Sequence, residues 1–149
     1  MSEAPDPSFY EQFVVKRYQH WTLLVEEKQR YLGQAVIWLE REGDMQRLSS
    51  LSEDERAELW SAVLPEYESA VQKLWQPDHM NYAWLGNLFL SHKGHGHMHV
   101  IPRYATSRTF NSVGFKDTRW GQNYVPYESQ EQTIEMAHAV RDALKTCIS

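Results

Sequence analysis

The stretch His95-Gly96-His97-Met98-His99-Val100-Ile101-Pro102-Arg103-Tyr104 decides how this chain is read. Histidine recurs at every second position, and two β-branched residues follow. Side chains along a strand alternate between the two faces of a sheet, so His95, His97 and His99 share one face. Pro102 cannot donate to a strand ladder and marks the strand's expected end.

Upstream, Asn81–Leu90 (NYAWLGNLFL) reads as a partner strand, with Ser91–Gly94 (SHKG) as the turn between them. Phe13–Glu27 (FVVKRYQHWTLLVEE) is β-branched and aromatic in two bursts, giving a pair of short strands or one long one. Leu32–Glu40 (LGQAVIWLE) reads as a further strand, and EKQRY supplies the turn before it. Ser52 opens the clearest helix. Ser52 and Glu55 fit a capping box, and Leu51 stands where a hydrophobic staple would. Apolar residues then recur from Ala57 to Trp75 at helical spacing, and Pro65 is expected to kink or split that helix after Leu64. Tyr104–Tyr127 reads as one long irregular stretch, a length unusual without a job. Ser129–Cys147 reads as the last helix, with Ile134, Ala137, Val140, Leu144 and Ile148 as its apolar stripe. Strands in runs with two helices set apart predict an α+β fold around an antiparallel sheet. Residues 1–12 are expected to be a flexible N-terminal segment and residues 13–149 a single domain.

Composition narrows the function. The chain has 149 residues, 42% hydrophobic and 13% aromatic, which argues against disorder. A net charge of −5 argues against a strongly basic face, so no nucleic-acid polymer is expected as a partner. The lone Cys147 allows no intramolecular disulfide and no cysteine-based metal site. No apolar run approaches the roughly 18 residues that span a bilayer, and the acidic start does not resemble a signal peptide. A cytoplasmic protein is expected.

A row of imidazoles admits three readings. Two of the rings could share a zinc ion, but the third begins about 13 Å from the first along a strand, too far for a common centre without a bend. Alternatively, neutral imidazole is a nucleophile and imidazolium a donor to phosphate oxygens, so the central ring could attack while its neighbours hold and orient. The plain alternative is a histidine-rich strand with no chemistry. Arg103 is a candidate phosphate ligand or an ion-pair partner, and Trp120 a stacking or packing residue. His20, His79 and His138 read as structural or surface residues, and Glu26-Glu27 as a solvated acidic face.

HGHMHVIPRY resembles the signature of the histidine triad (HIT) superfamily. Asn81–Asn87 (NYAWLGN) is similar to a segment of one bacterial branch of it. Arg30–Arg41 (RYLGQAVIWLER) resembles the approach to that family's second sheet strand, and Arg119–Tyr124 (RWGQNY) is similar to a Trp-Gly found downstream of its triad. The resemblance implies a nucleotide-binding α+β fold that pairs into a homodimer through its sheet. It implies hydrolysis or transfer at an α-phosphate, on dinucleoside polyphosphates or nucleoside phosphoramidates, with no metal and no cofactor. His97 would be the nucleophile that forms a nucleotidyl-histidine, His99 would hydrogen-bond the phosphate, and His95 would orient its neighbours. Asn87 and Ser91 would contact the nucleotide or its phosphate. The chain departs from the pattern at two places. Glu42 follows Arg41 where many relatives carry a further histidine, and Ser91 stands at a position they fill with glutamine. His92 and Lys93 are candidates for a compensating phosphate contact. A nucleotide-binding module with little turnover is the alternative, and a histidine-rich metal-binding protein a weaker one.

Overall fold

The computed structural model describes residues 7–43, 47–87, 94–128 and 131–148. The β-branched and aromatic bursts become two strands, β1 (Val14–Arg17) and β2 (Trp21–Val25), followed by β3 (Ala35–Glu42). Strands β4 (His79–Trp84) and β5 (His95–Arg103) complete an antiparallel sheet in the order β1-β2-β3-β5-β4. The strand β5 runs through Pro102, which pairs with Met80 of β4. On its other side β3 begins pairing only at Val100, so no ladder bond is lost at the proline.

Alternation sorts the strand residues between two faces. Trp21, Leu23, Ile37, Leu39, Met98 and Val100 lie on one side, all buried. The main helix packs there: the Trp21 indole donates to the Glu55 carbonyl at 2.8 Å, and the Tyr67 hydroxyl to the Gly33 carbonyl. Gly33 sits in the turn between β2 and β3 at φ +88°, and a Cβ there would lie 3.0 Å from Trp75, so the turn and the helix both require glycine. The opposite face carries Thr22, Leu24, Val36, Trp38 and the three histidines of β5.

The helix starts where its sequence says. Ser52 accepts from the Glu55 N–H at 3.1 Å and Glu55 accepts from the Ser52 N–H at 2.7 Å, a complete capping box. Its first part, α1 (Glu53–Glu58), passes through a π turn at Leu59–Val63 into α2 (Leu64–Trp75). The expected break after Leu64 therefore comes earlier and in another form. The Leu64 N–H reaches back five residues to the Leu59 carbonyl, and Pro65 falls in the first turn of the resumed helix, where its missing donor is harmless.

Three further elements differ from expectation. The stretch after Tyr104 is not wholly irregular: β6 (Arg108–Phe110) and β7 (Val113–Phe115) form a hairpin, turned by Asn111 and Ser112 in left-handed conformation. Residues 1–6 lie outside the described residues, but Pro7–Phe13 forms a 3-10 helix whose Phe9 and Tyr10 pack on the core, because three aromatics in five residues have apolar area to bury. The last helix, α3 (Ile134–Cys147), is capped by Thr133 and therefore starts later than expected. Together with the 3-10 helix it covers the β1 side of the sheet: His138 and Arg141 both bond Gln12. No helix among the described residues is long and apolar enough to cross a membrane.

Arg41 on β3 grips Glu55 through two bonds of 2.8 Å, tying the end of the sheet to the start of the helix. Arg41, with the Ser52 N–H, outweighs burial and draws the Glu55 carboxyl down to about 2. A carboxyl depressed on folding adds stability above its unfolded range, near 4.5, and loses it as the pH falls toward 2. Glu55→Gln should therefore cost about 2 kcal/mol at pH 7, from the loss of the carboxylate charge that Arg41 grips in two bonds. Denaturant titrations should show the gap from wild type narrowing between pH 4.5 and 2.

Candidate active site

The three histidines of β5 do share a face, as their alternation predicts. His97 is central and 3% exposed, while His95 and His99 are half-buried. Pairing places Trp38 of β3 opposite His97, and Val36 and Ala83 on either side of His99. The His97 and His99 rings meet edge to face with centroids 5.0 Å apart. His97 Nδ1 lies 3.3 Å from the His95 carbonyl. A carbonyl only accepts, so this contact makes Nδ1 the protonated nitrogen and directs the ring's lone pair to Nε2.

His95 is not simply a third member of a straight row. Its ring lies flat against Trp38, centroids 5.3 Å apart and planes 18° apart, and its Nδ1 meets the Leu39 carbonyl at 2.6 Å. Its Nε2 is 3.7 Å from a Glu42 oxygen.

Beside Trp38 a cavity of about 130 Å³, open to solvent, is lined by Tyr10, Phe13, Leu24, Glu26, Val36 and Trp38, among others. Its walls are apolar and aromatic, with carboxylates at one side, a lining suited to a flat ring carrying hydroxyl groups. Glu26, read from sequence as part of a solvated face, belongs to this wall. Burial, reinforced by the neighbouring Glu27 charge and opposed by Arg30 and Lys28, pushes its carboxyl up to about 7.

The other expected site residues fall differently. Asn87 is exposed just beyond β4. Ser91, with His92 and Lys93, lies outside the described residues. Arg103 is no phosphate ligand: its guanidinium is buried and fully used. It pairs with Asp117 at 2.7 and 3.0 Å and donates to Asn81 and to the Gln122 and Arg119 carbonyls. It holds the 117–122 loop down. Trp120 on that loop stacks on His79 and is 39% exposed. Among the described residues no cluster of three or more His, Cys, Asp or Glu is disposed to hold a metal ion.

Sequence reasoning missed Trp38, Glu26 and the cavity. Trp38 was findable, because its parity within AVIWL puts it on the face of Val36. The cavity was not, because its walls come from the N-terminal helix and two separate strands.

The fold recurs in solved histidine triad proteins. One from Bradyrhizobium japonicum superposes with a TM-score of 0.69 at 17% identity, over 100% of both chains. Another, from Sinorhizobium meliloti 1021, gives 0.68 at 13% identity over 99% of this chain and 98% of that one. The diadenosine triphosphate hydrolase of Plasmodium falciparum gives 0.57 at 14% identity, over 91% of this chain and 76% of its own. The chain thus has the histidine triad fold. No family model and no curated protein matches its sequence.

The raised Glu26 carboxyl carries a stability consequence. It holds its proton more tightly in the folded chain, so its ionisation removes stability as the pH rises from 4.5 through about 7. Wild type should lose about 2 kcal/mol relative to Glu26→Gln over that rise, after allowance for partial exposure. Thermal unfolding of both proteins at pH 5 and pH 8 measures this.

Proposed function

We propose that this chain is a histidine triad enzyme that hydrolyses or transfers a nucleotide at its α-phosphate, with His97 as nucleophile. The observation that carries this reading is the Nδ1 contact of His97 with the His95 carbonyl, which, with Nδ1 as the donor, supports Nε2 as the nucleophilic nitrogen. Its Nε2 attacks the α-phosphorus; a P–N bond forms, the bond to the leaving group breaks, and the leaving group takes up a proton. Water then attacks the nucleotidyl-histidine, the P–N bond breaks, and a nucleoside monophosphate departs. His99, edge-on to His97, donates to the phosphate oxygens that gain charge. The cavity beside Trp38 takes the nucleoside, and Asn87 and Ser91 complete the phosphate contacts. Dinucleoside polyphosphates and nucleoside phosphoramidates are the substrate classes that offer such a phosphorus with a separable leaving group.

His97→Ala should remove turnover, by at least about a thousandfold if the covalent route is lost, while the protein stays folded and nucleotide affinity stays close to wild type. Rapid quenching with labelled substrate should trap a nucleotidyl adduct on wild type and none on the variant. Binding without any adduct or turnover would favour a nucleotide-binding module instead.

We further propose that two copies pair along β4. That strand is the outer one of the sheet on the histidine side, and its Tyr82 is 46% exposed. An unpaired edge carries backbone groups ready to bond a second strand. Sedimentation velocity should show a species of twice the chain mass at micromolar concentration, shifted toward monomer by Tyr82→Arg.

A further inference from the structure

Past Trp38, strand β3 meets β5 again at a place that regular pairing would not give. Trp38 pairs with His97 and Glu42 with His95, so β3 takes four steps where β5 takes two. The surplus residues form a bulge, a device that re-aims side chains around it. Both sides of this bulge are tied. Arg41 bonds Glu55 on the helix side of the sheet. The Gly43 N–H donates to the Gly94 carbonyl at 2.9 Å, and Gly94 has φ +82°, which disfavours any side chain there. Glu42 is left beside the histidines, its Oε1 3.7 Å from His95 Nε2.

The His95 ring is thereby held from three directions. The Leu39 carbonyl accepts from Nδ1, and Trp38 lies flat on one face. Trp38 is itself steadied by its indole N–H donating to Glu40 at 3.3 Å. The Glu42 carboxylate approaches Nε2 from the solvent side. Among the described residues, Glu42 is the carboxylate within ion-pair reach of this ring; Glu40 faces it through Trp38, and His97 touches its backbone. What the clamp fixes is the main chain of His95, which runs between Gly94 and Gly96. The carbonyl of that residue is the group that receives His97 Nδ1.

We propose that Glu42 is a positioning residue: its carboxylate pairs with the protonated His95 ring and, through the His95 carbonyl, keeps the His97 ring aimed for attack. The proposal rests on the nucleotidyl-transfer reading above and gives a task to the residue that replaces the histidine of the family pattern. The pair attracts only with a proton on Nε2, so its effect grows as the pH is lowered.

Glu42→Gln and Glu42→Asp test it with a dinucleoside polyphosphate from about pH 5.5 to about 9, alongside the hydrogen-exchange rate of the His97 Nδ1–H in 15N-histidine-labelled protein. Glu42→Gln should lower kcat about two- to fivefold at the acid end of that range, with KM little changed, and by less at the alkaline end. Glu42→Asp should recover most of the rate. The Nδ1–H should exchange faster in Glu42→Gln by a similar factor at the acid end. A loss equal at both ends, or an unchanged exchange rate, overturns the proposal. The exchange measurement needs no turnover. If wild type forms no nucleotidyl adduct, the reaction scheme fails, while faster exchange in Glu42→Gln still upholds the clamp.

Discussion

Everything at the site hangs on the antiparallel pairing of β3 with β5. That ladder puts Trp38 opposite His97 and Val36 opposite His99, so one strand supplies the imidazoles and the other the wall they lie against. Side-chain alternation leaves no freedom here: a slip of one residue would send all three imidazoles into the helix-packed core. Burial of Ile37, Leu39, Met98 and Val100 on the far side holds the register. The apolar face thus does the selecting and the histidine face inherits the result.

Regular pairing stops beyond Trp38. The bulge after Trp38 bends β3 away from strict alternation. Arg41 is drawn to the capping carboxylate of the main helix, and Glu42 is left facing His95. One acidic residue, Glu55, therefore serves the helix start and the strand end together, and the helix cap is coupled mechanically to the surroundings of the first histidine. Arg103 plays a comparable part at the opposite end of β5, where its buried pairing with Asp117 pins the loop that carries Trp120. A residue that looks like a phosphate ligand in sequence is instead a fixed post: its donors are spent on three carbonyl-type acceptors and one carboxylate, with none directed at a ligand.

Much of the fold was legible because it rests on local patterns. The histidine alternation, the AVIWL run and the Ser52-to-Glu55 cap each depend on residues within a few positions of one another, and each forms as read. Pro65 was legible as a disturbance but not in its form, since a π turn upstream relieves the conflict as well as a kink would. The hairpin after Tyr104 escaped notice because its strands are three residues each, too short for periodicity to register. The N-terminal aromatics were misjudged because their acidic, proline-containing neighbours suggested fraying. Their packing partners lie elsewhere in the chain, Tyr10 against Trp38 and Phe13 against His138.

The sequence by itself determined which face the three imidazoles occupy, because strand periodicity is a property of the backbone and needs no partner. It determined the start of the main helix for the same reason, the cap being closed within four residues. Only the tertiary structure decided what surrounds those rings. The cavity wall joins residues 10 and 13 to residues 24 and 36, the Arg103 post joins positions 14 apart and more, and the Glu42 contact exists only because a bulge shifts one strand against another. Such contacts depend on how separate segments pack, and a linear pattern holds no record of distances between segments that meet only after folding.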